Sequence, residues 1–571
     1  GFSVAGDVEG GGGLRRVVSA EDPVVAFAVR APVKGGGFAV FEKQEMVESD
    51  GCCARFASLV PEDLKANVVV MPYKEVEGCG IADGCWKTLL DECEEHGVMV
   101  MLRGTFALCE VEWALKRYTC IVAVEFDEQE GWLTYERPYD QYRESHFRAA
   151  DICRAYNVYY LQCEGCYLGF PSGDLLTNPD LLAFFQKHAD RIVWGHKTNI
   201  AAIAFLNQAL TQGLYLDGLS AGLAYWSEGW YWEAAGFKGC GERTGKRRGG
   251  DENMCPAVMH AQAFAVGAAQ GASWFVLSGY NFLFPSNKGL PTFHRYVMGL
   301  FRALLHKKFV VTKEEALEKT KLCISPEFKM KRPGMDNLYG DWDELFGMAY
   351  GLPHEDSSIS ELIPNNGNYY FIPMRSDKTP KEDTTQLIEL EDVKSKGKCR
   401  AKLDEAYGEP FYSGNAWVVR VHDRLFLQNS NENVDSPQTF HIPLSYPLAS
   451  AFSGTLELHT YMLAKFENAG AALFLHAGSF FEDELDKCGN VAITAPIRDM
   501  AIAIACPNGE PSVVVARPAS GLAGREWDAE KGELRLMVNF SVAKRPTEVV
   551  VMMEGGEEDA AALFTPMPGV L

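Results

Sequence analysis

The chain has 571 residues, 47% of them hydrophobic and 23% charged, which is ordinary globular usage and excludes a disordered, collagenous or coiled-coil protein. Its 54 Lys plus Arg against 77 Asp plus Glu leave a net charge of −23, which repels phosphate backbones and anionic lipid. Nucleic acid and membrane surfaces are thereby disfavoured as partners, while neutral ligands such as sugars stay open, a choice that the 12% aromatic content suits.

Residues 1–20 are Gly-rich, with Gly10 to Gly13 consecutive, and predict a flexible lead-in. From residue 24 a rhythm begins: a short apolar run, a polar loop, then an amphipathic stretch. The apolar runs fall at 24–29, 67–71, 98–102, 120–126, 158–163, 191–194, 213–216 and 272–277. Continuous rather than alternating, they suit parallel strands buried on both faces. Helices are predicted between them at 139–156, 179–190, 200–212 and 256–270. Eight such units define a (β/α)8 barrel over residues 21–330. The rival, a doubly wound open sheet, lacks a GxGxxG after any early strand.

A charged helix at 312–320 closes the barrel region. Beyond it, turn clusters separate short runs at 368–372, 416–421, 425–427, 456–461, 471–475, 500–505, 513–516, 534–538 and 547–552, which predict an antiparallel β-sandwich over residues 331–571. The domain boundary is placed near residue 330.

The 16 Cys are scattered, and the one CxxC, Cys163 to Cys166, has no second pair at zinc spacing. Cys79 with Cys85, or one of Cys52 and Cys53 with a distant partner, could bridge; buried free thiols are the alternative. Asn539-Phe-Ser541 is a glycosylation acceptor only in a secreted chain. No run of 18 apolar residues occurs, so no membrane span is expected. The expectation is an extracellular or cell-surface protein. The 12 His form no HExxH and there is no nucleotide loop, so neither metal nor cofactor is expected.

In a barrel of this kind chemistry belongs to the loops after the carboxyl ends of the strands. The fourth run ends in Glu125, Asp127, Glu128 and Glu130, four carboxylates within six residues, followed by Trp132. A Trp beside a carboxyl offers both a sugar-stacking face and a low-dielectric wall that raises the carboxyl pKa, as a general acid requires. The bland reading is a solvated acidic loop. After the seventh run come Asp217 and then Trp226-Ser-Glu-Gly-Trp230, where Glu228 is flanked by aromatics. That segment reads as a pyranose platform, or alternatively as an aromatic flap on the barrel rim. Glu164 ends the fifth run, and Trp194, His196 and Lys197 follow the sixth, as further ligand contacts or as hydrogen-bonded structure. Two carboxylates across a scissile glycosidic bond lie about 6.5–9.5 Å apart for inversion and about 5–5.5 Å for retention.

These residues resemble glycoside hydrolase family 98. Leu59-Val-Pro-Glu-Asp-Leu64, followed by Ala66-Asn-Val-Val-Val-Met71, is similar to the family's IPEDI approach to strand two. Glu128-Gln129 with Gly131-Trp132 resembles its EQ…WG segment, and Lys197-Thr198 its EKYT. Trp226-Ser-Glu-Gly-Trp230 stands where the family has D…GW. Leu338-Tyr-Gly340, Gly367-Asn-Tyr-Tyr-Phe-Ile-Pro373 and Trp417-Val-Val419 resemble its C-terminal β domain, so the likeness runs from about residue 24 to about 480. The resemblance implies endo-acting, inverting cleavage of β-1,4 linkages in blood-group-bearing galactosides or xylan. Glu128 would then be the general acid and Glu228 the base, with Asp217 assisting. Trp132, Trp226, Trp230 and Tyr280 join Glu125, Glu164, Trp194, His196 and Lys197 as substrate contacts.

Three departures bear on that activity. Asn281 stands where the family has a base Glu, His196 replaces a Glu, and the strand-one HIDTW is absent from 27–32. An amide cannot accept a proton from water at neutral pH, so Asn281 could only orient the nucleophile. The alternative expectation is therefore a catalytically impaired carbohydrate-binding protein on the same scaffold.

Overall fold

In the computed structural model the described residues are 14–30, 38–42, 45–49, 60, 62–74, 84–104, 106–125, 139–164, 179–197, 211–227, 264, 267–277, 301, 305, 311–320, 322–324, 386–388, 416–421, 424–429, 438–444, 452–458, 462–469, 472–479, 500–539, 547–562 and 564. The barrel begins with β1 (Val24–Arg30) and, after a hairpin of β2 (Phe38–Glu42) and β3 (Glu45–Ser49), continues through β4 (Val68–Lys74), β5 (Met99–Gly104), β6 (Ile121–Glu125), β7 (Tyr159–Glu164), β8 (Ile192–Lys197), β9 (Gly222–Ser227) and β10 (Trp274–Leu277). The ring order is β1-β10-β9-β8-β7-β6-β5-β4, closed because β1 pairs in parallel with both β4 and β10. Helices α1 (Gly84–His96), α2 (Leu108–Arg117), α3 (Tyr139–Ala155) and α4 (Pro179–His188) alternate with the strands. Val, Ile and other apolar residues occupy both faces of the strands, as a wall between an interior and a helical sleeve requires. The interior core holds Val24, Ala26, Val69, Met71, Met101, Ala123, Leu161, Val193, Ala224, Trp274 and Val276.

Seven of the eight apolar runs are strands. The seventh run, 213–216, is instead helical as part of α5 (211–216), and the seventh barrel strand is β9, further along the chain. Local hydrogen bonding explains the exchange: Asp217 N–H donates to the Gly213 carbonyl at 2.9 Å and Leu219 N–H to that of Leu214 at 2.9 Å. Gly218, at φ +75°, then ends the helix in the left-handed conformation that glycine adopts without strain. An Asp-Gly pair closing an apolar helical stretch was the signal available for this stop.

Part of the expected lead-in is structured. Arg15 donates to the carbonyls of Leu115 at 2.7 Å, Tyr118 at 2.5 Å and Ile121 at 3.2 Å, and Val18 N–H donates to Tyr159 Oη at 3.0 Å. Val18 joins the interior core, so residues 14–18 plug the amino-terminal end of the barrel.

Helix α6 (Lys313–Lys319) starts in a reciprocal cap: Thr312 Oγ1 accepts from Glu315 N–H at 3.2 Å, and Glu315 Oε2 accepts from Thr312 N–H at 2.8 Å. Thr312→Ala is expected to destabilise the protein by about 1 kcal/mol, checked by the urea midpoint. On the outside of the barrel His188 is wholly buried beside Phe184, with Nε2 3.1 Å from Asp151 Oδ1. Desolvation outweighs the Asp151 charge and lowers its pKa below the ordinary 6.5. The folded protein thus binds this proton less readily than the unfolded chain. Stability from neutral His188 is complete above about pH 6.5 and declines as the pH falls toward the depressed folded value. The urea midpoint should drop between about pH 7.5 and about pH 5.5 by more in the wild type than in His188→Gln.

Beyond the barrel, β11 (Leu322–Ile324) pairs in parallel with β12 (Gln386–Ile388), so a boundary at residue 330 falls between two paired strands. The remaining strands are β13 (Ala416–Val421), β14 (Arg424–Asn429), β15 (Gln438–Leu444), β16 (Phe452–Leu458), β17 (Met462–Ala469), β18 (Ala472–Ser479), β19 (Met500–Ala505), β20 (Val513–Arg517), β21 (Leu522–Asp528), β22 (Glu533–Val538) and β23 (Thr547–Met552). They form antiparallel sheets of six strands, β13-β14-β17-β18-β23-β20, and of five, β15-β16-β19-β22-β21. Strict alternation of burial in β19 shows a sheet with one covered face. Helix α7 (Glu557–Ala562) lays Ala560 on Val513 and Val550 of the six-stranded sheet. Polar side chains such as Lys465, Glu467 and Asn468 in β17, and Arg525 and Glu526 in β21, hid those strands from the apolar pattern. The expected run at 368–372 lies outside the described residues, as do Cys52, Cys53 and Cys79 and the side chain of Cys85. Among the described residues no helix is long and apolar enough to cross a membrane.

Candidate functional site

The carboxyl ends of the eight strands define one face of the barrel, and its uppermost described layer is charged. Met101, Ala123 and Ala224 belong to the apolar interior. Two residues further along the same strands come Arg103, Glu125 and Trp226, and the period of two turns all three inward. Arg103 and Glu125 are register partners on β5 and β6, with Arg103 Nε 3.4 Å from Glu125 Oε2. The Arg103 guanidinium carbon also lies 4.6 Å from the centroid of the Trp226 ring. Since β5 and β9 are four places apart in a ring of eight, Arg103 reaches across the barrel to make that contact. Glu125 and Trp226 are each 1% exposed, so the pair and the stack are desolvated. Cation–π contacts gain strength without water, to about 2 kcal/mol or more. The layer is thus a polar lid on an apolar core and a floor for whatever sits above it.

The expected site residues separate on this frame. Glu125 is in the floor, ion-paired and buried, not an exposed sugar contact. Trp226 is likewise covered, leaving no free face on which a pyranose could stack. Trp194 points outward: it is 4% exposed and meets Phe185 of α4 edge-on at 5.0 Å, inside the helical sleeve. Asp217 follows α5 and precedes β9, which puts it at the amino end of that strand, on the face opposite the strand mouths. Glu164, His196 and Lys197 do end β7 and β8, with Glu164 in register with His196 and Lys197 with Trp226. Glu128, Trp132, Glu228, Trp230, Tyr280 and Asn281 lie outside the described residues. In the chain, Glu128 follows the end of β6 by three positions and Glu228 directly follows β9. Arg103 was missed, although an arginine ending an otherwise apolar run was a visible signal. Among the described residues no group of three or more His, Cys, Asp or Glu could hold a metal ion.

Comparison with known proteins agrees with this architecture. Residues 313–486 match the model of the glycosyl hydrolase family 98 C-terminal domain. No curated protein matches the chain by sequence. The catalytic module of a family 98 glycoside hydrolase from Streptococcus pneumoniae TIGR4, in its native form, is similar with a TM-score of 0.71 and 15% identity, over 94% of this chain and 100% of that one. The same module in complex with the H-disaccharide blood group antigen gives 0.70 and 16%, and in complex with the LewisY pentasaccharide 0.69 and 15%, each over the same shares of the two chains. The chain's closed parallel barrel and antiparallel sheets lie within the 94% of it that this likeness of fold covers. Residues 313–486 are thus similar to the family 98 C-terminal domain, and the likeness to the family 98 catalytic module over 94% of the chain is one of fold.

Proposed function

We propose that the chain is an endo-acting glycoside hydrolase that cleaves a β-1,4 linkage in a neutral glycan with inversion. Glu128 protonates the leaving oxygen, Glu228 takes the proton from the attacking water, and Asn281 orients that water. The observation that carries this reading is the course of the chain: β6 ends at Glu125 and β9 at Ser227, so both glutamates come within three residues of the carboxyl ends of barrel strands. Those strands are three places apart in the ring, which suits groups that work on opposite sides of one bond. An inverting pair needs room for water, with its carboxyls about 6.5–9.5 Å apart. The net charge of −23 fits an uncharged ligand better than an anionic one. Asp217 has no part in this scheme. An oligosaccharide or glycoconjugate met outside the cell or at its surface is the expected substrate.

The test is to incubate the protein with blood-group H and LewisY oligosaccharides, blood-group-bearing glycans, xylan and galactan. Reducing ends should accumulate, and the new anomeric centre, read by NMR, should be inverted. No product from any of them sinks the proposal. A second reading, a carbohydrate-binding protein without turnover, is favoured by Asn281 at the family's base position. It requires saturable glycan binding with no reducing ends formed.

A further inference from the structure

The layers inside a closed parallel barrel are ordinarily filled by branched apolar side chains. Here the layer nearest the carboxyl ends holds an arginine, a glutamate and a tryptophan contributed by β5, β6 and β9. We infer that Arg103 is a positioning residue for the hydrolysis proposed above, and the inference rests on that reading. Its Nε lies 3.4 Å from Glu125 Oε2 while its guanidinium carbon sits over the Trp226 ring, so one planar group spans from the end of β6 to the end of β9. Those are the two strand ends from which Glu128 and Glu228 follow.

Stability gives no reason for this choice of residues. A buried ion pair replaced at both partners by apolar groups of similar volume leaves a protein about as stable or more so. Apolar contact is non-directional, however, and would let the barrel wall shear or flatten by small amounts. A planar guanidinium is directional: it presents N–H donors in its plane and a face to an aromatic ring, geometry that an ammonium does not reproduce. Inverting hydrolysis is sensitive to this because the water must fit between acid and base, and a displacement of about 1 Å can cost about 10²-fold in rate.

The experiment compares the wild type with Arg103→Met/Glu125→Leu and with Arg103→Lys. The double variant removes both charges of the pair together and is expected to melt within about 5 °C of the wild type. Its kcat on the glycan that the wild type cleaves should fall about 10²-fold with KM little changed. Amide hydrogen exchange in peptides covering 121–125 and 222–227 should quicken while the rest of the barrel stays protected. Arg103→Lys should lose kcat as well, since it keeps the charge and not the planar group set against the Trp226 ring. Wild-type kcat or wild-type exchange at these strand ends in the double variant overturns the inference. Should that variant fail to fold, Arg103→Lys decides on the same two readouts. If the wild type cleaves no glycan, the functional proposal fails by itself, and strand-end exchange alone judges the clamp.

Discussion

Glu128→Gln is expected to lower turnover by about 10²–10⁴-fold, the usual share of a general acid. The glutamine is isosteric and can still accept a hydrogen bond, but it has no proton to give to a departing alkoxide. Binding should therefore survive: KM for the glycan should stay close to that of the wild type while kcat collapses. A substrate with an activated leaving group such as dinitrophenol needs little protonation, so its rate should fall far less. That contrast separates acid catalysis from a misfolded loop, which would depress both substrates together. Glu228→Gln should depress both substrates equally, because the water must be deprotonated whatever departs. An unchanged kcat in Glu128→Gln on the natural glycan refutes the assignment of the acid.

The barrel was readable because its strands are buried on both faces, so Val24–Arg30, Val68–Lys74 and Ile121–Glu125 are written as continuous apolar runs that no amphipathic helix imitates. The one misplaced strand marks the limit of that rule. Leu214, Tyr215 and Leu216 are buried, as the strand residues are, and a short apolar run does not by itself distinguish a buried helix end from a strand. Correcting it moves Asp217 to the far face of the barrel and leaves Glu228 directly after β9. For the site, position along the chain was legible and side-chain direction was not. Trp194 and Trp226 both looked like sugar platforms. Which one faced the sleeve and which the lumen depended on strand parity, and parity is fixed only by pairing with neighbours far away in sequence. The same parity brings Arg103 under the mouth.

Trp274→Ala should cost about 3–5 kcal/mol, the range for emptying a buried aromatic site. Trp274 is fully buried in β10, in register with Val24 and Ala224, and its ring meets that of Tyr159 edge-on at 5.5 Å. Tyr159 in turn accepts the hydrogen bond from Val18 N–H that seats the plug. Removing the indole therefore undercuts three elements together: the closing strand, the opposite wall and the amino-terminal segment. Against a total stability of about 5–15 kcal/mol, such a loss should leave much of the protein unfolded near 37 °C and be plain as a lower urea midpoint. Trp274→Phe should be much milder. It keeps an aromatic edge for Tyr159, and among the described residues the indole N–H has no hydrogen-bond partner to lose. Because the damage lies at the amino-terminal end, the molecules of Trp274→Ala that remain folded at low temperature should keep their turnover. Loss of kcat in step with the unfolded fraction meets this expectation, whereas an equal urea midpoint for Trp274→Ala and the wild type defeats it.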